Sequence, residues 1–261
     1  MAQHDNLYQR SIFYDIVFNR DVSREVDFML ALYRRYTGQT MQSVLDIACG
    51  PGYHARAFAR RGLRAVGLDL RPEMVRFAAD QAAAEAIEVE WLTADMRGFE
   101  LAAPVDMAIT VFDGIDALLT NEDMTQHLQT VAANLTANGL YLIEHTHPRD
   151  CSLTNYGSFH YGGQRNGITV EINWAINNPA FDLVTGVAQT EIEMRVDDHG
   201  QKQVIHDYAQ ERILSPQEIG LLVQLSGALE LVGWYGDFDL QQGLDNSPAS
   251  KKMIAVLQKM R

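Results

Sequence analysis

Between residues 44 and 143 the sequence alternates short β-prone runs with helical stretches, and this alternation constrains the fold more than any other feature of the chain. Strands connected through helices are typical of a parallel sheet with helices on both faces. The predicted strands cover residues 44–47, 65–68, 87–91, 107–111 and 140–143, and the predicted helices cover residues 22–37, 53–61, 72–85 and 122–135. We therefore predict an α/β fold.

The pattern changes after residue 145. Residues 145–167 combine glycine, histidine and aromatic residues with no period, and so long an unstructured stretch in a compact domain is usually functional. Three segments with the alternation of antiparallel strands follow, over residues 168–176, 187–196 and 203–213. A capping box at Ser215 then predicts a helix, and residues 229–234 and 253–257 predict two closing strands. We expect one α/β domain with an inserted three-stranded antiparallel sheet.

Charge and composition restrict the class of partner. The 261 residues include 34 Asp and Glu against 21 Lys and Arg, a formal net charge of −13, which disfavours DNA or RNA as a partner. No apolar run reaches the roughly 18 residues of a membrane span, and the N-terminus lacks the basic start and apolar core of a secretory signal. Two cysteines, Cys49 and Cys151, are too few for a disulfide scaffold. We expect a cytoplasmic monomer or homodimer with no nucleic-acid or membrane partner.

The strongest local signal is a strand that runs into a glycine turn and opens a helix. In this segment Asp46 ends the strand, and Gly50 and Gly52 form the turn. Such a turn brings backbone N–H groups close to a ligand, but NAD, FAD and nucleotide sites use one, and so do ordinary strand–turn–helix corners. Asp46 narrows the choice, because a carboxylate at this strand end repels a pyrophosphate and suits a ligand with an amine.

Two further acidic positions follow the next two predicted strands. Asp69 ends the second strand, where a carboxylate is placed to accept hydrogen bonds from both hydroxyls of a ribose. Asp95 and Met96 follow the third strand, where the first can accept from an adenine amino group and the second can pack on the ring. The alternative for Asp69 is a solvated acid at a strand end.

Together, these positions resemble the class I S-adenosylmethionine-dependent methyltransferases. Within that superfamily the chain looks most like small-molecule enzymes such as the amino-sugar N-methyltransferases, on its Phe13-Tyr14-Asp15 segment, residues 112–118 and the antiparallel insert. The resemblance implies a Rossmann-like seven-stranded mixed sheet and S-adenosyl-L-methionine as cofactor. The implied cofactor-binding residues are Asp46, Ala48, Gly50, Gly52, Asp69, Leu70, Met74, Asp95, Met96 and Phe112.

The resemblance also divides the chain into four parts. Residues 1–40 would be an N-terminal lid and helix, and residues 41–147 the cofactor-binding core. Residues 148–213 would be a loop and antiparallel insert on the substrate side, and residues 214–261 the C-terminal part of the core. The lid interpretation depends on four aromatic residues near the N-terminus: Tyr8, Phe13, Tyr14 and Phe18.

Methyl transfer is an in-line displacement, so much of the rate comes from holding the nucleophile close and aligned. A neutral amine needs little more, whereas a hydroxyl or carboxyl acceptor needs a base or prior ionisation. The candidate catalytic residues are His145, Asp113 and Tyr14, of which His145 is the better base by its ordinary pKa. The candidate acceptor-binding residues are Asp116, His147, Tyr156, Tyr161 and Trp174. No metal site is expected.

The predicted function is methyl transfer to an N or O atom of a small-molecule acceptor. One alternative is a protein or tRNA methyltransferase, which would be expected to carry a basic patch. Another is a protein that binds the cofactor without catalysing transfer. A nicotinamide oxidoreductase is disfavoured, because Asp46 stands in the wrong place for it.

Overall fold

The computed structural model describes residues 7–151 and 156–260. Within them the chain forms helices α1 to α6 and strands β1 to β11. In chain order, the elements before the insert are α1 (Ser11–Phe18), α2 (Ser23–Thr37), β1 (Ser43–Ile47), α3 (Tyr53–Ala59), β2 (Arg64–Asp69), α4 (Pro72–Ala84), β3 (Glu90–Thr93), β4 (Val105–Thr110), α5 (Asn121–Ala133) and β5 (Leu135–Thr146). The remaining elements are β6 (Phe159–Arg165), β7 (Ile168–Trp174), β8 (Val187–Asp198), β9 (Gln201–Arg212), α6 (Pro216–Ser226), β10 (Leu229–Tyr235) and β11 (Lys252–Lys259).

The main sheet has seven strands among the described residues, in the order β10-β11-β5-β4-β1-β2-β3. Strands β1 to β5 are parallel, whereas β11 runs antiparallel to β5 and to β10. From β1 the chain builds β2 and β3 on one side and then returns to build β4 and β5 on the other. This reversal leaves a crevice at the carboxyl ends of β1 and β4.

Alternating residues of the central strands serve two cores. Val44 faces a core with α2, α3 and the insert, whereas Leu45 faces a core with α5 and α6. Because strand residues alternate between faces, two buried faces require the nearly continuous apolar runs that the sequence shows. The predicted mixed sheet with helices on both faces is therefore confirmed, and so is the capping box at Ser215 that begins α6. Among the described residues, no helix has the length and apolar character to cross a membrane.

The inserted sheet has four strands, in the order β6-β7-β8-β9, where we predicted three. The additional strand, β6, lies in the stretch predicted to be unstructured. Its central Gly162 and Gly163 weaken any alternating pattern, but Gly163 has a packing role: a Cβ there would lie 2.2 Å from the backbone oxygen of Ile16 in α1. The glycine therefore lets a helix lie directly on the strand, which a sequence pattern does not reveal.

Two other elements differ from the prediction. Residues 11–18 form a helix, α1, although the sequence offers no side-chain cap for it. The third strand begins at Glu90 rather than at Ile87, because the Ile87 N–H bonds to the Ala82 carbonyl at the end of α4. Residues 1–6 of the predicted lid part and residues 152–155 of the predicted insert part lie outside the described residues.

Candidate active site

A cavity of ≈ 570 Å³ opens at the carboxyl edge of the main sheet. Residues at or just after the ends of β1, β2, β3, β4 and β5 line it, together with residues of α1 and of the inserted sheet. It lies where the strand order reverses, which is where open α/β sheets bind ligands. Its volume is in the range of small-molecule sites, about 300–1,000 Å³.

The glycine turn between β1 and α3 holds Ala48, Gly50 and Gly52 in left-handed conformations, with φ of 55°, 51° and 74°. Ala48 and Gly50 line the cavity, and a Cβ on Gly50 would meet no atom within 4 Å. Gly52 is not among the lining residues. A Cβ there would lie 2.4 Å from the Trp91 ring, so the structure assigns Gly52 to the packing of the turn, not to the predicted cofactor contact.

Asp46 is the penultimate residue of β1, has only 1% of its surface exposed and borders the cavity. One of its carboxylate oxygens accepts a hydrogen bond from the Ala55 N–H at 3.1 Å, in the first turn of α3. Burial raises the pKa of Asp46 to about 6, although the charge of His54 opposes the shift. A cationic group of a ligand would favour the ionised form, as expected for a carboxylate that binds an amine.

Asp69 ends β2 and holds the neighbouring loops through backbone N–H groups. Its carboxylate accepts hydrogen bonds from Gly50 N–H and from Arg71 N–H, both at 2.8 Å. An ionised carboxylate has about four acceptor positions, so these two bonds leave capacity for the hydroxyls of a ribose. Burial raises the pKa of Asp69, and the two backbone bonds oppose that rise.

Asp95 lies at the cavity with 39% of its side chain exposed, and an arginine holds it. The Arg97 guanidinium lies 2.6 Å from its carboxylate and also pairs with Asp123 at 2.8 Å. The neighbouring guanidinium lowers the pKa of Asp95. Four other predicted cofactor residues line the same cavity: Leu70, Met74, Met96 and Phe112.

Helix α1 brings an aromatic cluster to the cavity. The ring centroids of Tyr14 and Phe18 are 4.5 Å apart, and Phe18 contacts Phe112 at 5.4 Å and Tyr161 at 5.0 Å. Tyr8 lines the cavity as well, whereas Phe13 belongs to the core. Burial, with a contribution from the Asp69 charge, raises the pKa of the Tyr14 phenol above its usual range. The raised pKa keeps the Tyr14 phenol protonated at neutral pH.

Two buried acids hold α1 and the segment just before it in place. Asp15 accepts a hydrogen bond from the Tyr53 hydroxyl at 2.9 Å and pairs with Arg165 of β6 at 2.6 Å. Asp207 of β9 accepts from the Leu7 N–H at 3.0 Å. These bonds connect the N-terminal segment to α3 and to the inserted sheet, so the wall that α1 forms depends on both.

On the other side of the cavity, the ends of β4 and β5 bring three titratable groups together. His145 Nε2 lies 2.8 Å from an Asp116 carboxylate oxygen, and His145 Nδ1 lies 2.9 Å from the Thr146 carbonyl. Asp113 lies 3.7 Å from His145 Nδ1 and accepts hydrogen bonds from the Thr146 N–H and hydroxyl. Asp113 and the preceding Phe112 have φ of 60° and 57°, a costly backbone conformation that often occurs at functional sites.

His145 is held as an imidazolium. Burial alone would lower its pKa, but the carboxylates of Asp116 and Asp113 outweigh it and raise the pKa to about 10. Nδ1 faces the Thr146 carbonyl at 2.9 Å and Nε2 lies at ion-pair distance, 2.8 Å, from the Asp116 carboxylate, an arrangement that favours the imidazolium. Burial raises the pKa of Asp116 to about 6, and the charge of His145 limits the rise. The raised pKa disfavours His145 as a general base at neutral pH, and its predicted catalytic role stays a prediction.

The ligand atoms of Asp113, Asp116 and His145 lie within 4.8 Å of one another, close enough to bind a metal ion. We predicted no metal site from the sequence, since no HxxxH motif or triplet of carboxylates at ligand spacing stands out in it. A metal would have to displace the proton from an imidazole that two carboxylates keep protonated. The ion-pair network therefore competes directly with metal binding.

Glu211 of β9 is a lining residue that the sequence analysis missed. One of its carboxylate oxygens accepts from the Trp174 indole N–H at 3.0 Å, and the other is buried without a hydrogen-bond partner among the described residues. Burial raises the pKa of Glu211 to about 9, with contributions from Asp116 and Asp113. The sequence gives one clue, a carboxylate near the end of a predicted strand, but many exposed strand acids share it.

Four of the five predicted acceptor-binding residues line the cavity: Asp116, Tyr156, Tyr161 and Trp174. His147 does not. Its Nε2 donates to the Asp245 carbonyl at 2.9 Å and its Nδ1 accepts from the Arg149 N–H at 3.1 Å. Both ring nitrogens are thus occupied in anchoring the loop before β11. These contacts hold His147, one residue beyond β5, away from the cavity to which we predicted it would contribute.

Comparison with known families matches residues 44–139 to the family described as "Methyltransferase domain". The matched segment runs from β1 into β5 and includes the glycine turn, Asp69 and Asp113. Over this segment the chain is similar to a methyltransferase domain. The predicted resemblance to S-adenosylmethionine-dependent methyltransferases is confirmed, and so is the fold that it implied.

Solved structures resemble the methyltransferase fold over nearly the whole chain. An S-adenosylmethionine-dependent methyltransferase from Clostridium acetobutylicum has a TM-score of 0.78 at 15% identity, with 95% of this chain and 96% of that chain covered. Streptomyces venezuelae DesVI has a TM-score of 0.75 at 21% identity, with 97% and 98% covered. At these identities the likeness concerns the fold, and it includes the inserted sheet.

A curated relative of the methyltransferase domain is the dTDP-3-amino-3,6-dideoxy-alpha-D-glucopyranose N,N-dimethyltransferase of Streptomyces fradiae. It is 28% identical over 134 residues, which cover 50% of this chain and 51% of the relative. The chain spans about half the length of the first curated relatives it matches.

Proposed function

We propose that this chain is an S-adenosylmethionine-dependent methyltransferase that methylates a nitrogen atom of a small-molecule acceptor. The observation that carries the proposal is one continuous cavity lined both by the glycine turn with Asp69 and by the cluster of Asp113, Asp116 and His145. A cofactor at the turn and an acceptor at the cluster would then share one enclosure. The family match over residues 44–139 supports the same assignment.

The residues at the turn fit the cofactor. The cavity is open at Gly50, a ligand amine has a buried carboxylate partner in Asp46, and Asp69 retains acceptor capacity for a ribose. When bound there, S-adenosylmethionine supplies an electrophilic methyl group on a sulfonium. Met74 is fully buried against this part of the cavity, and Met96 lies at its edge. The same residues give no cation to balance the pyrophosphate of a dinucleotide at Asp46.

An amine acceptor is supported by the electrostatics of the other half. Three carboxyl groups, from Asp113, Asp116 and Glu211, face one imidazolium, that of His145, so the cluster favours a cationic ligand over an anionic one. Because a neutral amine reacts once it is aligned, the chain mainly has to orient it and exclude water. The named reaction of the Streptomyces fradiae relative, dimethylation of an amino sugar, agrees with this acceptor class.

The cavity walls support a small molecule over a macromolecule. Helix α1, the inserted sheet and Tyr156 surround the acceptor half, and acidic residues outnumber arginines in the lining, which disfavours a nucleic acid. The division into a lid part, a core, a substrate-side insert and a C-terminal part belongs to the same proposal. So do a cytoplasmic location and a monomeric or homodimeric state.

The test is methyl transfer from S-adenosylmethionine labelled in its methyl group. The acceptor probes are dTDP-3-amino-3,6-dideoxy-α-D-glucopyranose, its counterpart with a hydroxyl in place of the amine, and a mixture of small primary amines. We expect label in at least one amine, no label in the hydroxyl counterpart, and a product mass increased by one or two methyl groups. Label that enters only protein or tRNA, or no transfer from bound cofactor, would contradict the proposal.

A further inference from the structure

We propose that Glu211, with Asp113 and Asp116, forms an anionic subsite that binds the acceptor nitrogen as an ammonium and removes one proton from it. The inference rests on the proposed function, since it concerns the acceptor of that reaction. Glu211 lies in the inserted sheet, so this sheet would take part in catalysis together with the core. It also specifies the acceptor as an amine that is protonated in solution.

The geometry around Glu211 leaves one oxygen free for a ligand. The side chain lines the cavity, and the Trp174 indole N–H fixes its other oxygen at 3.0 Å. The remaining oxygen is buried and has no hydrogen-bond partner among the described residues. A buried carboxylate oxygen without a partner is costly, by about 1–3 kcal/mol, and a ligand N–H in the cavity would remove that cost.

Charged groups on every neighbouring element leave this subsite negative. Asp113 and Asp116 follow β4, and the imidazolium of His145 on β5 offsets one of the carboxylates. The Arg212 guanidinium also lines the cavity: one of its nitrogens donates to the Asn121 side chain at 2.7 Å, and another is buried without a hydrogen-bond partner among the described residues. Burial raises the pKa of the nearby Cys151 thiol to about 12, so it stays neutral. The Lys252 ammonium near Asp113 pairs with Glu144 at 2.6 Å. Asp113, Asp116 and Glu211 therefore outnumber the imidazolium of His145 in this cluster, and a ligand ammonium would add a second positive charge to it.

The proton has a defined route. An ammonium that binds replaces the proton that Glu211 holds at neutral pH, and that proton leaves to solvent. One N–H bond of the ammonium then breaks and its proton moves to the Glu211 carboxylate. The freed lone pair forms the new N–C bond while the methyl C–S bond breaks, and the electron pair of that bond stays on sulfur. The product is the methylated ammonium and a neutral thioether, and Glu211 is left protonated as at the start.

The proton affinities of the two groups are matched. Burial and the nearby carboxylates raise the pKa of Glu211 to about 9. Aliphatic amines titrate in the same region, about 8–10, so in the ligand-free site Glu211 binds a proton about as well as an amine does. A bound ammonium lowers the pKa of Glu211, and the proton transfer is favoured again as the ammonium loses its charge. By contrast, an ordinary carboxylate would be too weak a base to deprotonate an ammonium.

The test uses sinefungin, an S-adenosylmethionine analogue in which an amine-bearing carbon replaces the methylsulfonium, so that an ammonium takes the position of the transferred methyl. Its affinity is compared by calorimetry with that of S-adenosylhomocysteine, which lacks the charge. We expect wild type to prefer sinefungin by about tenfold or more, and Glu211→Gln to reduce this preference about tenfold. Glu171→Gln, an exposed acid of β7, is the matched control and should leave the preference unchanged.

A second measurement needs no variant. Because ammonium binding releases the Glu211 proton, the wild-type preference for sinefungin should grow as pH rises from about 6.5 to about 8.5. Groups that contact the shared amino-acid and adenosine parts, such as Asp46, affect both ligands and cancel in the ratio. A preference that is independent of pH and equal in Glu211→Gln, with both ligands bound, would overturn this inference alone. Failure of wild type to bind either ligand would overturn the proposed function and the inference with it.

Discussion

The two halves of the cavity are built in different ways. On the cofactor side, the buried carboxylates bind backbone N–H groups: Asp46 binds that of Ala55, and Asp69 binds those of Gly50 and Arg71. On the acceptor side, His145 pairs with Asp116 at 2.8 Å and lies 3.7 Å from Asp113, and the charges of Asp116 and Asp113 also act on Glu211 of β9. The first half is a preformed cradle for one constant ligand. The second is a network of coupled charges whose balance an incoming ligand can change.

The two halves of the cavity should therefore respond differently to substitution. Backbone-bound carboxylates keep their geometry when a neighbouring side chain changes, so the cofactor half should tolerate substitution elsewhere. Coupled buried charges depend on every member, because removal of one leaves its partners uncompensated. The substitutions below test this contrast.

The largest expected effect is that of removing the imidazolium from the acceptor network. His145→Gln leaves the Asp116 carboxylate without its charged partner in a buried site, and we expect a loss of about 3 kcal/mol in the free energy of unfolding. Cofactor affinity should stay nearly unchanged, since His145 belongs to the other half. Denaturant unfolding and calorimetry measure the two quantities. The control is His160→Gln in β6, an exposed histidine, which should change stability by less than about 0.5 kcal/mol.

The raised pKa of His145 predicts that the stability difference between wild type and His145→Gln depends on pH. The folded-state pKa of His145 is raised to about 10, so its stabilising contribution is complete below its unfolded pKa, about 6.5, and is lost as pH rises to about 10. The stability difference between wild type and His145→Gln should therefore be largest below pH 6.5 and shrink toward pH 10. A difference that grows with pH would mean that His145 is neutral when folded.

The second-largest expected effect is that of removing a carboxylate from the cofactor half. Asp69→Ala removes the carboxylate that would accept the ribose hydroxyls, and we expect cofactor affinity to fall by about 1.5–3 kcal/mol. Calorimetry with S-adenosylhomocysteine measures the loss. Asp80→Ala, an exposed acid in α4, serves as the control. Normal binding by Asp69→Ala would reduce Asp69 to a structural partner of the loops.

A smaller effect separates packing from ligand contact within the glycine turn. Alanine at Gly50 or at Gly52 meets the same left-handed backbone cost, about 1–2 kcal/mol. Only at Gly52 does the new methyl group meet the Trp91 ring. We therefore expect Gly52→Ala to lower the melting temperature more, and Gly50→Ala to lower cofactor affinity more. Equal effects of the two variants on both quantities would contradict the division of roles.

The smallest effect concerns the wall that both halves share. Helix α1 meets the cavity through Tyr14 and Phe18, so a ligand there should reduce its local opening. Hydrogen exchange of residues 7–20 should slow when cofactor is added, whereas exchange in exposed residues of β9 should not. Unchanged protection over residues 7–20 would leave the aromatic cluster as ordinary packing.

These two halves also differ in how much the sequence predicts. Asp46, Gly50 and Asp69 follow directly from a strand, a turn and a helix that are contiguous in the chain, and the structure brings them to one cavity. The acceptor network depends on pairings between distant segments. The sequence therefore identifies Asp113 and His145 as strand-end candidates without revealing that Asp113 and Asp116 keep His145 protonated.

Three features were beyond sequence reasoning for a physical reason. Strand β6 has glycines where a pattern would need side chains, because α1 lies against Gly163. Gly52 looks like a ligand-contacting glycine until Trp91 is seen to occupy the space beside it. Glu211 resembles any solvated strand acid until the indole of Trp174 and the walls of the cavity enclose it. In each case a tertiary contact, not the local pattern, decides the role.

The central claim is that the glycine turn with Asp46 and Asp69 binds S-adenosylmethionine rather than a dinucleotide. Titration calorimetry of the wild-type protein with S-adenosylhomocysteine and with NAD tests it most directly. We predict a dissociation constant on the order of micromolar for S-adenosylhomocysteine and no detectable heat of binding for NAD. Tight binding of NAD with no binding of S-adenosylhomocysteine would contradict the claim.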